Sequence, residues 1–468
     1  MWGFHPTIIR RMIDAVILPI LFYAAPVWCT AIIHPTVLTP LNRVLRRCAM
    51  AIMGLLRTTS TETALATAGL HHADVYIRRS LVEFYVRHLT YGHDVTVSTT
   101  RVRRLNRTHT PSEILRKEIS ALCHHQHLPE STFTRVERKR WWYSNPSDTH
   151  WEPEPSLLTR EDALSRLHIE RTSSPPDSLW VFTDGSVSDT SCGAAALFLH
   201  GRERHGHTFA VHFSGQHSST HAEMVALRLA CSQTSEFTHT KCVTFVSDSM
   251  PALQGICQRN GASDLAVTTR TALINLHNHV NSIRLWWIPA HVGLEAHDQV
   301  DSSAKHAADG SDHTPDILVP FSHTSLKGII RRYYTCLENE RWTVHSRDRH
   351  LLPRFDPSLS WTTSLPRKMV TLTAQFLSGH FVTNAYLHRF HLSDSERCIW
   401  CGHPVCDRSH ILLDCPRFEY PRQQMFSDSC LPLSSLGTHV WDLLLVPNRS
   451  HLARFLSLVD KARRSVSD

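Results

Sequence analysis

The stretch Leu179-Trp-Val-Phe-Thr-Asp184-Gly185-Ser186 has the form of a buried strand that runs into a turn. Its apolar run has the length of a strand, and Asp, Gly and Ser are residue types that favour turns. Residues 242–246 form a second apolar run, and Ser247, Asp248 and Ser249 follow it. Two strands that each end beside an aspartate predict carboxylates at one edge of a sheet.

The apolar pattern on either side of these runs predicts a mixed α/β fold. The further predicted elements are strands at 193–200, 207–214 and 283–288, and helices at 220–232, 251–257, 265–276 and 299–308. Strands and helices in this order predict a mixed five-stranded sheet with flanking helices. The remaining candidate helices lie in the N-terminal and C-terminal regions of the chain, so we expect helical regions on both sides of the sheet domain.

Four acidic residues lie where such a fold would gather them. Asp184 and Asp248 end strands, Glu223 lies near the start of a helix, and Asp301 lies within one. A single Asp at a strand end is most often a turn residue, so the prediction depends on the set. Converging carboxylates repel one another unless cations neutralise them, and Mg²⁺ prefers oxygen ligands. Two such ions about 4 Å apart can activate a water and stabilise the departing oxygen of a phosphodiester.

These residues carry a resemblance to a known family. The motifs, in chain order, are Phe-Thr-Asp184-Gly185-Ser186, Gly193-Ala-Ala-Ala, Thr220-His-Ala-Glu223, Phe245-Val-Ser-Asp248-Ser249, Trp287-Ile-Pro-Ala-His291-Val-Gly293 and Asp301. Together they resemble type 1 ribonuclease H, in the version carried by non-LTR retrotransposon polyproteins. The resemblance spans residues 179–309 and implies an endoribonuclease that hydrolyses the RNA strand of RNA–DNA hybrids.

The resemblance also implies roles for individual residues. Asp184, Glu223, Asp248 and Asp301 would hold two Mg²⁺ or Mn²⁺ ions, and His291 would assist proton transfer or product release. An imidazole suits that task because its pKa lies near neutrality. The hydroxyls of Ser186, Thr220 and Ser249 would touch the hybrid backbone, which this family recognises through shape, phosphates and 2′-hydroxyls.

The chain departs from the family pattern shortly before Asp301. The family usually has Gly-Asn-Glu there, whereas this chain has Ala296, His297 and Asp298. The loss of the Asn predicts relaxed contact with the hybrid or weaker turnover. A catalytically inactive, nucleic-acid-binding remnant of a retroelement is therefore the alternative function.

A second cluster has the spacing of a metal site. Cys398, Cys401, His410 and Cys415 form the pattern C-x2-C-x8-H-x4-C, with His403 and Cys406 as alternative ligands. A CxxC knuckle and two further ligands nearby can close a tetrahedral Zn²⁺ site, which would be structural. The segment resembles the zinc-knuckle-like tail that follows ribonuclease H in many such elements. Arg417 and Arg422 could support a contact with nucleic acid there.

The N-terminal residues resemble the thumb-like end of a non-LTR reverse transcriptase. The matching stretches are Leu18-Pro19-Ile-Leu-Phe-Tyr23-Ala-Ala-Pro26-Val-Trp28, Leu45-Arg46-Arg47 and Gly54-Leu-Leu-Arg57-Thr58-Thr59. The apolar run at 15–28 is too short to span a bilayer, which needs about 20 apolar residues. We expect it to be a buried helix, and Gly54 to end the next helix. No Tyr-x-Asp-Asp polymerase motif occurs, so we expect the downstream part of a retroelement polyprotein that cannot polymerise DNA.

The predicted organisation has five segments. They are a thumb-like helical region at 1–90, a connector at 91–177, the ribonuclease H domain at 178–311, a helical region at 312–390 and the zinc-knuckle-like region at 391–468. Residues 326–342 and 369–390 are the better helix candidates of the fourth segment.

The net charge of +7 is compatible with a nucleic-acid partner, and the 13 scattered cysteines suit a reducing compartment. We expect an intracellular protein of the cytoplasm or nucleus, without a membrane partner.

Overall fold

The computed structural model describes most of the chain in two compact units. The described residues are 3–91, 110–126, 128, 132–133, 136–137, 139–140, 153, 160–203, 205–237, 240–258, 262–290, 293–310, 314–346, 355–428 and 449–467. One unit holds 82–91 and the described residues from Arg116 to Ile330, and the other holds 3–81, 110–115 and the described residues from Arg331 onwards. The five segment boundaries predicted from the sequence stay predictions.

A five-stranded mixed sheet is the centre of the first unit. Its strands are β2 (Ser178–Val187), β3 (Ser191–His200), β4 (His207–Ser214), β5 (Cys242–Ser247) and β7 (Ser282–Trp287). The order across the sheet is β4-β3-β2-β5-β7, with β2, β3 and β4 antiparallel and β5 and β7 parallel to β2. A separate antiparallel pair joins β1 (Lys139–Arg140) to β6 (Ala262–Ser263).

Alternate residues of the central strand β2 face two different hydrophobic cores. Leu179 and Val181 belong to a core shared with Phe245, whereas Trp180 and Phe182 belong to a core shared with Trp286. Successive side chains of a strand point to opposite faces, so a strand covered on both faces is apolar throughout. This is why the run quoted first lacks the alternation of a half-exposed strand.

Helices cover both faces of the sheet. The helices of this part of the chain are α6 (Pro111–His125), α7 (Arg160–Ser173), α8 (Ser219–Gln233), α9 (Met250–Cys257), α10 (Asp264–His277) and α11 (Glu295–Ala308). Met224 of α8, Leu253 of α9 and Leu273 of α10 pack on the first face. Val300 and Ala304 of α11 pack on the second. The predicted fold class and the predicted order of strands and helices are thus confirmed.

Gly185 allows helix α8 to approach strand β2 closely. A Cβ atom at Gly185 would lie 2.4 Å from both Ala222 C and Glu223 N, which are backbone atoms of α8. No rotation of a side chain can relieve such a contact. The glycine therefore fixes the distance between the end of β2 and the start of α8, the two elements that carry Asp184 and Glu223.

We expect Gly185→Ala to lower the local free energy of unfolding by about 1–3 kcal/mol, the usual cost of overpacking a core. Hydrogen exchange of peptides from β2 and α8 measures this quantity in the full chain. Gly255→Ala is the matched control, because its Cβ would meet only the flexible end of Met224 at 2.9 Å. Equal effects of the two substitutions would contradict the close-approach argument.

The second unit is helical. Its helices are α1 (Pro6–Met12), α2 (Leu18–Leu21), α3 (Pro35–Met53), α4 (Thr61–Ala68), α5 (Ala73–Thr90), α12 (His323–Ser346), α13 (Arg367–Leu377), α14 (Asn384–Arg389), α15 (Glu419–Asp428) and α16 (Arg449–Ser467). The residues of α5 and of α12 are divided between the two units. Helix α3 ends at Gly54, whose φ of 69° is left-handed. This agrees with the prediction, since a left-handed residue after the last turn favours glycine.

Two local predictions in this unit were wrong. The run at 15–28 is not a buried helix, because helix α2 ends at Leu21 and Ile20 and Tyr23 are 71% and 78% exposed. Only one side of the segment packs, and apolar residues occur on every side of it. The helix predicted at 369–390 is two helices, α13 and α14, separated at 378–383 by a turn in which Gly379 has a φ of 82°. No helix within the described ranges combines the length and apolarity needed to cross a membrane.

Candidate functional site

Three side chains meet at one edge of the sheet. Asp184 lies near the end of β2, and Asp248 follows the last residue of β5, the parallel neighbour of β2. His297 lies in the first turn of α11, which packs over the same end of the sheet. One oxygen of each carboxylate and one nitrogen of His297 all lie within 4.8 Å of one another. This group has the ligand types and the spacing of a metal centre.

Glu223 of α8 adds a fourth group, a carboxylate that is 7% exposed. Burial raises the pKa of Glu223 well above its usual range, and the charges of Asp184 and Asp248 raise it further. A hydrogen bond with the backbone of Gly185 acts in the opposite direction but does not outweigh them. The carboxylates of Asp184 and Glu223 therefore lie in one electrostatic cluster.

The pKa of Asp184 is also shifted upward, to about 6. Burial is the largest cause, and the charges of Asp248 and Asp301 act in the same direction, whereas His297 lowers the pKa. A buried carboxylate among other carboxylates is costly to ionise, and a bound cation removes that cost. The site is therefore built to receive positive charge.

Asp301 lies at the margin of this cluster. Its charge reaches Asp184, but its Oδ2 accepts a hydrogen bond from Lys305 Nζ at 2.7 Å, and its side chain is 30% exposed. The two residues are four apart on α11, where side chains of opposite charge pair readily. The structure thus brings Asp184, Glu223 and Asp248 together and leaves Asp301 beside them, paired with a lysine.

Without divalent metal, we expect Glu223→Gln to stabilise the site increasingly as the pH rises from 5 to 8. A carboxyl whose folded pKa is raised contributes stability at low pH and loses it as the pH rises through that pKa. The gain should be largest at pH 8, where the buried carboxyl of the wild type is most costly to keep folded. Hydrogen exchange of β2 and α8, corrected for intrinsic rates, measures the difference between the variant and the wild type.

The comparison with the variant is needed because two buried histidines act in the opposite direction. Burial lowers the pKa of His217 to about 3 and that of His221 to about 4. Their contribution to stability grows as the pH rises towards 6.5, and it cancels when variant and wild type are subtracted. A difference that shrinks with rising pH would contradict the raised pKa of Glu223.

The other predicted site residues of this domain are one histidine and three residues with hydroxyl groups. His291 lies outside the described residues. Ser186, Thr220 and Ser249 are partly exposed and lie on the elements that carry the acids, at the end of β2, the start of α8 and the start of α9. The hydroxyl of Ser249 caps α9 by accepting a hydrogen bond from the N–H of Ala252. Their predicted contact with a hybrid stays a prediction.

The sequence interpretation missed the part that His297 plays. It treated this residue as the loss of an Asn, whereas the structure buries the ring at 6% exposure with Nε2 3.7 Å from Asp248 Oδ2. One signal could have revealed it. His297 precedes Asp301 by four residues, and this spacing places both on the same face of a helix.

A second cluster, in the other unit, joins Cys398, Cys401, His410 and Cys415. Their ligand atoms all lie within 4.8 Å of one another, with Cys401 Sγ 3.2 Å from His410 Nε2. Cys398 Sγ and Cys415 Sγ are 3.9 Å apart. The four residues singled out by spacing in the sequence therefore converge, with three thiols and one imidazole as candidate ligands.

The local fold explains this convergence. Gly402 takes a left-handed φ of 73° and donates its N–H to Cys398 O, which closes the knuckle. Burial raises the pKa of Cys398, but hydrogen bonds with the backbone of Trp400 and Cys401 and with the side chains of Cys401 and Cys406 together outweigh it, so this pKa is lowered. The alternative ligand His403 is exposed, and its Nδ1 lies 2.9 Å from Val405 O. Cys406 is buried beside the cluster.

Arg422 does not have the position predicted for it. It is 7% exposed, and its guanidinium donates hydrogen bonds to Leu412 O and Cys415 O at 2.7 Å. It therefore holds the loop that carries the last two candidate ligands and does not face a partner. Arg417 is exposed, so its predicted role stays open to test.

The strand order, the covering helices and the acidic edge define a ribonuclease H-like domain. The family RNase H matches residues 176–309, and the family described as zinc-binding in reverse transcriptase matches residues 339–420. The chain thus carries a ribonuclease H domain followed by a zinc-binding region of the reverse-transcriptase type, as a retroelement protein does.

The chain is similar to several solved structures at low sequence identity. Ribonuclease H1 of Halobacterium salinarum is 15% identical over 29% of this chain and 99% of its own, with a TM-score of 0.24. LC11-RNase H1, isolated from compost and solved with an RNA/DNA hybrid, is 16% identical over 28% and 96%, with a TM-score of 0.24. A foamy viral protease-reverse transcriptase bound to dsDNA is 15% identical over 29% and 97%, with a TM-score of 0.25. A search of curated proteins found no match.

Proposed function

We propose that the ribonuclease H domain hydrolyses the RNA strand of RNA–DNA hybrids with two divalent metal ions, Mg²⁺ or Mn²⁺. The observation that carries the proposal is the meeting of Asp184, Glu223 and Asp248 at one edge of the sheet, with Asp301 beside them. Sequence position alone does not bring these residues together. The fold does so by placing the ends of two parallel strands beside the start of α8 and the first half of α11.

The residues present fit a divalent cation. Glu223 Oε2 and His297 Nε2 are buried atoms without a hydrogen-bond partner among the described residues. Unpaired buried polar atoms are costly, and an ion that they coordinate would satisfy them. Carboxylate oxygens are also the ligands that Mg²⁺ and Mn²⁺ favour.

The residues of the site would have different roles in this reaction. Asp184, Glu223 and Asp248 would hold the ions, and Asp301 would join them once it is released from Lys305. When bound, the ions activate a water and stabilise the departing oxygen. His291 would assist proton transfer, as the resemblance to the family implies, and the products would carry a 5′-phosphate and a 3′-hydroxyl. Ser186, Thr220 and Ser249 would touch the hybrid backbone at this edge.

The test is cleavage by the full chain of four substrates, three of which contain an RNA strand. We expect hydrolysis of the RNA–DNA hybrid in Mg²⁺ or Mn²⁺, none in EDTA, and none of single-stranded RNA, double-stranded RNA or a DNA duplex. Cleavage in EDTA would contradict the metal mechanism. A folded chain that binds the hybrid without cutting it would instead support the inactive nucleic-acid-binding alternative.

We propose separately that Cys398, Cys401, His410 and Cys415 hold a structural Zn²⁺. Three thiolates and one imidazole nitrogen in contact leave no coordination position for a substrate, which is typical of closed structural sites. Zinc thiolates need reduced cysteines, and no disulfide joins the cysteines that the structure describes. We therefore also propose an intracellular location, in the cytoplasm or nucleus.

A further inference from the structure

His297 is a buried ring whose outer nitrogen faces the acidic cluster. The residue is 6% exposed, and its Nε2 has no hydrogen-bond partner among the described residues. The same nitrogen lies 3.7 Å from Asp248 Oδ2, and a ring nitrogen of His297 lies within 4.8 Å of a carboxylate oxygen of Asp184. The separation from Asp248 is beyond a good hydrogen bond.

Packing alone does not account for this ring. A histidine buried for packing normally directs its nitrogens at backbone or side-chain partners, because an unpaired buried polar atom is costly. Here a ring nitrogen and two carboxylates converge on one point. A cation between them would satisfy all three, and separations below 4.8 Å leave room for one.

We infer that His297 Nε2 is itself a ligand of the divalent ion, together with Asp184 and Asp248. This inference deepens the proposed function, on whose divalent-metal site it rests. It changes the ligand set from oxygen alone to oxygen and nitrogen. Imidazole suits transition ions such as Co²⁺ and Zn²⁺, and Mn²⁺ accepts it more readily than Mg²⁺, which prefers oxygen and gives up its waters reluctantly.

The consequence is a metal preference specific to this chain. The residue that the resemblance leads one to expect at this position is Asn, which offers only an amide. With His297, the site should bind Mn²⁺ more tightly relative to Mg²⁺ than it does with Asn. His297→Asn should lower the ratio of Mn²⁺ to Mg²⁺ affinity by about tenfold, on the order of one ligand's contribution at a metal site.

The test uses the full chain with its Cys-His cluster loaded with Zn²⁺, so that Mn²⁺ enters only the acidic site. Pulsed electron paramagnetic resonance of bound Mn²⁺ should show coupling to an imidazole ¹⁴N in the wild type. The coupling should be lost in His297→Asn and kept in His306→Asn. His306 lies on the same helix, but it is exposed and its Nδ1 contacts Ser302 O.

Absence of nitrogen coupling in the wild type would overturn the inference, and so would coupling that persists in His297→Asn. The wild-type measurement stands even if the Asn variant fails to fold, and His297→Gln provides a second variant. Nitrogen coupling without hybrid cleavage would remove the proposed function and leave the ligand assignment. Hybrid cleavage without nitrogen coupling would remove the ligand assignment and leave the proposed function.

Discussion

Asp184→Asn is expected to abolish hybrid cleavage while making the metal-free domain more stable. Asp184 contributes a carboxylate oxygen to the cluster with Asp248 and His297. An amide in its place weakens the hold on the cation, so we expect the rate to fall by roughly 10³-fold or more, which corresponds to about 4 kcal/mol of transition-state stabilisation. The measurement is single-turnover cleavage of a hybrid in Mg²⁺ and in Mn²⁺.

The stability of the same variant should change in the opposite direction. The pKa of Asp184 is raised to about 6, mainly by burial, so its ionised form is costly in the folded state at pH 7. An amide of the same shape removes that cost, and we expect a gain of about 1–3 kcal/mol, at about 1.4 kcal/mol per pKa unit. The gain should vanish below about pH 4, where the carboxyl is protonated in both states.

Asp177→Asn is the matched control. Asp177 precedes β2 at the opposite end from Asp184, and its Oδ2 pairs with Lys241 Nζ at 3.2 Å on the surface. An exposed pair of this kind contributes about 0–1 kcal/mol. The control should therefore leave cleavage unchanged and gain no stability. Full cleavage by Asp184→Asn would refute the site, and lost cleavage together with lost stability would indicate a folding defect.

The sheet domain could be predicted from the sequence because the apolar pattern of each strand shows how far the strand is buried. Residues of β2 are apolar on both faces since both faces are covered, and the turn residues at its end place Asp184 beside Asp248 in the parallel neighbour β5. Glu223 follows from its place near the start of α8. These features depend on local pattern and chain order, which a sequence displays directly.

The features that were not predicted depend on neighbours that a sequence does not display. The apolar segment at 15–28 gave no indication of which side would pack, and the structure leaves Ile20 and Tyr23 exposed. The helix expected at 369–390 is interrupted because Gly379 takes a left-handed conformation beside Arg408. The position of His297 depends on how α11 lies over the sheet, a tertiary feature.

The second large effect is expected at the Cys-His cluster, where Cys415→Ser should release the zinc and unfold the segment around it. Cys415 is completely buried and lies 3.9 Å from Cys398 and 4.0 Å from Cys401, so its loss opens the cluster. Cys398 and Cys415 also belong to a core with Phe376, Phe418 and other residues of this unit. Because these two cysteines would be ligands as well as core residues, loss of the metal should loosen the core.

The size of the effect follows from the coupling of metal binding to folding. Structural zinc in small fingers contributes an apparent free energy of about 10–16 kcal/mol, more than the stability of most domains. We therefore expect one zinc per chain in the wild type, none in Cys415→Ser, and complete loss of hydrogen-exchange protection across 398–428 in the variant. A strong chelator should produce the same loss in the wild type.

Cys406→Ser tests whether Cys406, the alternative ligand, binds the zinc in place of Cys415. Cys406 is as buried as Cys415 and is the same residue type, but it lies outside the group of ligand atoms that converge. Elemental analysis should find one zinc in this variant and exchange protection close to that of the wild type, because only a buried thiol has been exchanged for a hydroxyl. Zinc lost from Cys406→Ser and kept in Cys415→Ser would transfer the ligand role to Cys406. That result would mean that the loop from Gly402 to Asp407 turns inward when the metal binds.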